Sequence, residues 1–337
     1  MRWLEQQWYR SDSTARALQW LLWPLSLLFA CIAAIRRIAY RTGLLETTKL
    51  PVPVVVIGNI SVGGTGKTPL VITLAEQLRQ RGLRPGIISR GYGGNALVPR
   101  AVFAQNNPDE VGDEPLLLAR QTACPVWIGA NRVAAAQGLL ADNPECDILL
   151  SDDGLQHYAM ARDFEIAVID AARGLGNSLR LPAGPLREPP SRLAGVNAVV
   201  LNGKSANPLP LPSDVRAYTM QIAGNTFVNL RDPGRQVNAD FFAGKPVHAI
   251  AAIGNPQRFF LQLEALGIPH QPHGFPDHHR YQAAEIDFGG HPAVIMTAKD
   301  AVKCERFALE NHWVHQVNAV IDGNLTEQII RQLGRTH

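Results

Sequence analysis

The stretch that most limits what this chain can become is residues 54–68, VVVIGNISVGGTGKT. Val54, Val55, Val56 and Ile57 form an unbroken apolar run suited to a buried parallel strand; Gly63, Gly64 and Gly66 then free the backbone to wrap an anion, and Lys67 and Thr68 open a helix. This is the pattern of a phosphate-binding loop. Its backbone, from Ser61 and Val62 through Gly63, Gly64, Thr65 and Gly66, offers N–H groups to nucleotide phosphates, Lys67 reaches the β/γ oxygens, and the Thr68 hydroxyl is placed for Mg²⁺. The loop departs from the usual pattern at its first position, where Ser61 stands in place of Gly. A glycine-rich turn that merely precedes a lysine is the plain alternative, and GGTGKT directly after a strand argues against it.

A chain of 337 residues is long for one minimal core, and 46% hydrophobic residues can bury two. The expected fold is α/β, with a P-loop NTPase-type parallel sheet flanked by helices. A second, smaller α/β domain is joined by a β-hairpin hinge, and an N-terminal membrane-associated helix precedes both. The expected bounds are 1–45 for the membrane segment, 46–205 for the P-loop core, 206–244 for a linker and hairpin, and 245–337 for the second domain. A formal net charge of +3, with no Lys/Arg block interleaved with aromatics, argues against nucleic acid as a partner. Cys31, Cys124, Cys146 and Cys304 are scattered without a CxxC pair, which suits ordinary thiols in a reducing compartment rather than a disulfide framework or zinc site.

Near the start, residues 17–35 are apolar apart from Gln19, Pro24 and Ser26, approaching the ~20 residues of a spanning helix. Trp3, Trp8, Trp20 and Trp23 suit the headgroup level, and arginines stand on both sides: Arg2, Arg10 and Arg16 before, Arg36, Arg37 and Arg41 after. An anchor embedded in the cytoplasmic leaflet therefore fits as well as a true span. A cleaved signal or lipoprotein signal would export a phosphate-binding loop to a compartment without ATP. A buried core helix stays open as an alternative.

Candidate chemistry collects at strand ends, where open α/β sheets bind ligands. After a strand at 85–89, the glycine-rich turn SRGYGG offers Arg90 and Tyr92, with a plain turn as the alternative. VGDEP places Asp113 and Glu114 before an apolar helix; Asp113 reads first as an N-cap, and the two carboxylates are also candidates for a general base. A helix from 131 to 140 carries Arg132 near its start. The run CDILLS then ends in Asp152 and Asp153, with Gln156 and His157 close behind. An apolar strand ending in acid is what a P-loop enzyme uses to hold Mg²⁺ or its water shell beside Thr68. LPAGPLREPP holds Arg187 and Glu188 in a loop stiffened by prolines, which suits positioning or a simple surface connection.

Residues 206–213 read as a Pro-rich linker, and the runs 215–222 and 226–230 read as two strands turning at Gly224 and Asn225. A second α/β series follows, with strands at 247–252 and 293–297 and helices at 257–266 and 325–333. Between its elements, HQPHGFPDHHRY carries four histidines without the i, i+4 spacing of a helical metal site. Its Asp277–His278 step instead offers an imidazole beside a carboxylate that can orient or tune a base on the first domain.

Taken together and in order, GNISVGGTGKTP, SRGYGG, VGDEP, ANR, SDDGLQH, GPLRE, AAIGNPQRFF, FPDHH and MTAKD, behind an N-terminal membrane segment, resemble the tetraacyldisaccharide 4′-kinases, the lipid A 4′-kinases of Gram-negative bacteria. The resemblance covers nearly the whole chain. It implies transfer of the ATP γ-phosphoryl group to the 4′-hydroxyl of a tetraacylated glucosamine disaccharide 1-phosphate, giving lipid IVA, at the cytoplasmic face of the inner membrane. It also implies ATP and Mg²⁺ as cofactors, a lipid substrate and no obligate protein partner. Residue by residue, it implies Lys67 and Thr68 on phosphates and Mg²⁺, with Asp152, Asp153, Gln156 and Glu188 around metal and nucleotide. Asp113 matches the catalytic carboxylate and His278 its paired histidine; Arg90, Arg132, Arg187, Tyr92, Glu114 and Asp277 are candidates for substrate or transition state. A membrane P-loop ATPase acting as a switch or transport motor is the competing class, although such dimerising ATPases usually carry a Lys where this chain has Val62.

Overall fold

The structure, a computed structural model, describes residues 2–10, 12–95, 98–204 and 209–334. Part of the expected Pro-rich linker, Ala206 to Pro208, lies outside them. The chain opens with a short helix, α1 (Arg2–Gln7), and a long one, α2 (Ser13–Arg41). Asp12 starts α2 by accepting the Ala15 N–H, and Pro24 sits within it. Its 29 residues make a rod of about 44 Å. Only 11% of its most apolar window is buried, which overturns the core-helix alternative. The polar interruptions Gln19 and Ser26 are docking contacts: Gln19 Nε2 donates to the Gln7 carbonyl at 3.3 Å, while Ser26 Oγ donates to the Arg180 carbonyl and accepts the Ala183 N–H, both at 2.9 Å.

The first sheet half contains β1 (Val54–Gly58), α3 (Lys67–Gln80), β2 (Pro85–Ser89), β3 (Arg100–Val102), α4 (Pro108–Val111), α5 (Asp113–Gln121), β4 (Val126–Ile128), α6 (Arg132–Asp142), β5 (Ile148–Asp152), β6 (Phe164–Asp170) and β7 (Ala198–Asn202). Their order is β7-β6-β1-β5-β2-β4-β3, parallel except at β3. Every residue of β1, β2, β5 and β6 is buried, which is why these strands are mostly apolar rather than alternating, with polar residues chiefly at their carboxyl ends and Glu165 of β6 paired with Arg162 and Arg192. The chain continues through β8 (Arg216–Asn229), β9 (Gln236–Asn238), β10 (Val247–Ala251), α7 (Pro256–Ala265), β11 (Gln271–Gly274), β12 (Ala293–Thr297), α8 (Ala298–Cys304), β13 (His312–Ile321) and α9 (Leu325–Gln332).

The expected turn at Gly224 and Asn225 is absent: the two runs form the single strand β8. This strand joins the halves into one sheet, pairing with β7 over residues 216–220 and with β13 over residues 220–229. Gly224 is not a turn residue but the close approach at a register shift between Gln316 and Asn318, where a Cβ would meet the Gln316 carbonyl. The histidine-rich segment likewise contains a short strand, β11, and its histidines take separate partners. His273 pairs with His248, His270 with the Ile268 carbonyl, and His279 with Glu285.

This register aims the two halves at each other. β7 ends where Asn202 pairs with Met220, and β8 runs on past it to Phe227, which pairs with His315 opposite Thr297 at the end of β12. Because β13 runs antiparallel to β8, the strands beside β13 return with their carboxyl ends facing the carboxyl ends of the first half. Seven residues of strand separate the two sets of strand ends by roughly 20 Å, and the loops that follow them reach into that gap. The result is a cleft walled on both sides by strand-end loops.

Candidate active site

The phosphate loop begins where β1 ends. Gly63 and Gly66 have φ of 104° and 91°, conformations that side chains disfavour, and Gly66 caps α3. Ser61 explains the departure at the first position, because it is extended and bridged to Leu186. The Val62 N–H donates to the Pro185 carbonyl at 2.8 Å and the Arg187 N–H to the Ile60 carbonyl at 2.7 Å, so GPLRE braces the loop. On the other side Asn202 Nδ2 donates to the Thr65 carbonyl at 2.9 Å. The turn after β10 also touches the loop: a Cβ on Gly64 would lie 3.2 Å from Gly254 Cα.

Lys67 stands at the start of α3 with Nζ 3.4 Å from Asp153, and Arg187 reaches the same carboxylate at 3.1 Å. Burial pushes the Asp153 carboxyl up, but these two positive charges outweigh it and hold it below the usual range. Asp152 behaves oppositely. It is buried at the end of β5, and burial, followed by the charge of Glu114, lifts its carboxyl to about 7 against the pull of Lys67. Its Oδ2 accepts the Ser89 hydroxyl at 3.4 Å, while its Oδ1 has no hydrogen-bond partner. An orphaned carboxylate oxygen beside a phosphate loop is a fitting place for Mg²⁺ or its water shell. Glu188 is differently placed: its oxygens accept Gln156 Nε2 at 2.6 Å and the Tyr158 hydroxyl at 2.5 Å, and Arg192 Nε lies at 3.3 Å. Arg132 is buried, and burial lowers its pKa.

A second cluster crosses the cleft. Asp113 is not the expected N-cap; Gly112 takes that position with φ 90°, and Asp113 is the first residue of α5. Its buried carboxylate faces His278, whose Nδ1 lies 2.9 and 3.0 Å from the two oxygens. Burial alone would raise the Asp113 carboxyl, but the hydrogen bond from His278 and the charges of Lys299, His278 and Lys303 bring it down to about 2. Burial lowers the His278 imidazole, and the bond to Asp113 overturns this so that its pKa is raised. The Tyr92 ring lies 4.9 Å from that of His278, and Lys299 Nζ binds Glu114 at 2.8 Å and Asp277 at 3.0 Å.

The family model described as tetraacyldisaccharide-1-P 4′-kinase matches residues 18–334. Among relatives, the tetraacyldisaccharide 4′-kinase of Methylobacillus flagellatus is 49% identical over 99% of this chain and 96% of its own, and that of Azoarcus sp. 52% identical over 93% and 91%. The crystal structure of LpxK from Aquifex aeolicus, described as an "apo" form in complex with ATP, superposes with a TM-score of 0.80 at 29% identity. It covers 94% of this chain and 99% of its own. This chain belongs to the tetraacyldisaccharide-1-phosphate 4′-kinase family.

In this kinase both clusters open on one cavity of about 1240 Å³, which runs from Phe29, Ile32 and Arg36 of α2 to Lys67, Asp152 and His278. Arg90, Gln156, Arg187 and Glu188 also line it. Arg132 and Asp113 do not stand among its lining residues: Asp113 meets a smaller cavity of about 370 Å³, and His278 lines both. The sequence reading missed several participants. Asn202 ends an apolar strand as Asp152 does, and that parallel was the available signal. Asp170 is a further case, accepting Arg258 at 2.9 Å and Asn255 at 3.2 Å to tie the turn after β10 down beside the loop. Lys299 lay inside MTAKD without a role.

Proposed function

We propose that this kinase transfers the γ-phosphoryl group of ATP to the 4′-hydroxyl of a tetraacylated glucosamine disaccharide 1-phosphate, in the cleft between the phosphate loop and the Asp113–His278 pair. The observation that carries the reading is that pair, built from both halves of the sheet, whose His278 lines the same cavity as Lys67. A motor that only hydrolyses ATP needs neither an acid–imidazole pair for an acceptor nor a nucleotide cavity that continues to an apolar helix.

The loop N–H groups and Lys67 hold and polarise the β/γ phosphates, and Arg90 and Arg187 add positive charge where it develops on the transferring group. Thr68, Asp152 and Asp153 would hold Mg²⁺, which when bound neutralises phosphate charge. Glu188 and Gln156 hold the wall beside them, since Gln156 also donates to the Asn59 carbonyl at 3.0 Å. The sugar hydroxyl gives its proton to the Asp113–His278 pair, with Asp113 as acceptor and His278 holding it in place. Transfer with a loose transition state asks little of the base until late, so an ionised, correctly placed carboxylate suffices even with a low pKa. The exposed face of α2 lies in the cytoplasmic leaflet of the inner membrane, on the side where ATP is found, and delivers the acyl chains to the cavity mouth.

The test uses purified protein in detergent with Mg²⁺, γ-labelled ATP and a tetraacylated disaccharide 1-phosphate. Label entering the lipid fraction, and absent with Asp113→Asn, is the expected result. Label released only as free phosphate, whether or not lipid is present, would replace the kinase with the membrane ATPase.

A further inference from the structure

Lys299 follows the end of β12 at the second position of α8, in the second half of the sheet. Its ammonium is surrounded by three carboxylates: Glu114 at 2.8 Å, Asp277 at 3.0 Å and Asp113 at 3.9 Å. Two of these are chain neighbours of the dyad. Glu114 adjoins Asp113 on α5, and Asp277 adjoins His278 on the loop after β11. Asp277 Oδ1 also accepts the His278 N–H at 3.1 Å, and His278 holds a left-handed φ of 59° that a non-glycine residue keeps only when its surroundings impose it.

We propose that Lys299 is a positioning residue that sets the catalytic dyad, by tying the backbone neighbour of Asp113 to the backbone neighbour of His278. The inference rests on the reading of Asp113 and His278 as the acceptor pair. Three carboxylates around one ammonium leave Lys299 no unmatched charge for a substrate phosphate, although it borders the cleft. Burial disfavours its charged form, but Glu114, Asp113 and Asp277 outweigh that and raise its pKa, so the strut stays charged. Lys303, whose Nζ is 4.0 Å from Asp113 and 2.9 Å from Asp300, lies on the far side and makes no link to Asp277.

The experiment measures kcat, KM for ATP and ATP affinity for Lys299→Met, Lys299→Arg, Glu114→Gln and Asp277→Asn, each alone and with Asp113→Asn. Misalignment of a reacting group by about 1 Å costs about 10²-fold. Lys299→Met is therefore expected to lower kcat about 10²-fold, with KM for ATP and ATP affinity within about threefold; Lys299→Arg should restore part of the loss, and the two single-arm variants should fall between. In the Asp113→Asn background the same changes should cost less than about threefold, because a strut for an absent base has nothing left to align. Full additivity in that background, or equal loss of ATP affinity, would overturn the proposal, as would near-normal kcat in Lys299→Met. If Lys299→Met folds poorly, Glu114→Gln and Asp277→Asn decide alone, and near-normal kcat in both overturns it. Asp113→Asn at the wild-type rate would instead remove the dyad reading itself, an outcome distinct from any failure of Lys299.

Discussion

At the scale of single residues the proposed transfer sets one cation against one carboxylate. Lys67 Nζ rests 3.4 Å from Asp153 and is the loop's charged reach toward a phosphate. Lys67→Ala should lower kcat/KM about 10³-fold, roughly 4 kcal/mol of lost transition-state stabilisation. Near-normal turnover would take the loop out of the mechanism. For the dyad, the order of proton transfer has a pH signature. The Asp113 carboxyl sits at about 2, so it is ionised throughout the neutral range, and direct acceptance by Asp113 gives kcat/KM no acid limb from this pair. Acceptance through neutral His278 Nε2 would give a rate that falls as pH drops through the raised imidazole pKa. The expected profile has no limb that His278→Gln removes, and finding one would reverse the order within the pair. Lys67 was legible because the phosphate loop is a local motif, whereas Asp113 read first as an N-cap and its pairing with His278, 165 residues away, came only from the family resemblance. Lys299 was not legible, because its meaning lies in two carboxylates on two other elements, and no spacing along the chain encodes that meeting.

At the scale of elements, the apolar runs at 54–57, 85–89 and 146–151 meet β1, β2 and β5 within about two residues, since strands covered on both faces are rich in apolar residues, whereas the short edge strand β3 went unread. β8 was misread for an equally physical reason. Gly and Asn between two alternating runs are the usual mark of a tight turn, and the same glycine also permits close backbone approach at a bulge. Only the partner strand decides between these, and β13 lies about ninety residues further on, well beyond local pattern. The distinction can be tested at Gly224. A Cβ there would meet the Gln316 carbonyl and force the ribbon apart. Gly224→Val should destabilise the protein by about 1–3 kcal/mol, read as a lower unfolding midpoint. It should also lower kcat more than ATP affinity, because the ribbon sets the distance between the phosphate loop and the dyad. A variant as stable and active as the parent would show that the ribbon tolerates a side chain here and does not fix the cleft.

At the scale of the whole molecule, the proposed reaction has to bring a water-soluble nucleotide and a membrane-held lipid to one point. The fold docks α2 through small and polar residues, Ala15, Ser26 and Ala30, and leaves Trp20, Leu21, Leu28, Ile32 and Ile35 outward, which supports a candidate anchor for that purpose. The apolar stretch itself was plain in the sequence; which side faced protein was not, because Gln19 and Ser26 read as interruptions of a span and are in fact its attachment points. That division makes anchoring separable from catalysis. Leu21 is 74% and Leu28 58% exposed, so changing them to Glu removes no packing from the core. A charge at membrane depth costs about 2.5–3.5 kcal/mol by insertion scales and less where the side chain reaches the interface, so Leu21→Glu with Leu28→Glu should weaken vesicle binding at least about tenfold. ATP affinity should be unchanged, whereas transfer to lipid in vesicles should fall and recover in detergent, where acceptor no longer has to be reached from a bilayer. Pelleting with phospholipid vesicles measures the first effect and label in the lipid fraction the second. If the double variant still pelleted fully, the membrane contact would lie on another surface. If detergent failed to restore transfer, α2 would act on the substrate itself and not only on where the enzyme sits.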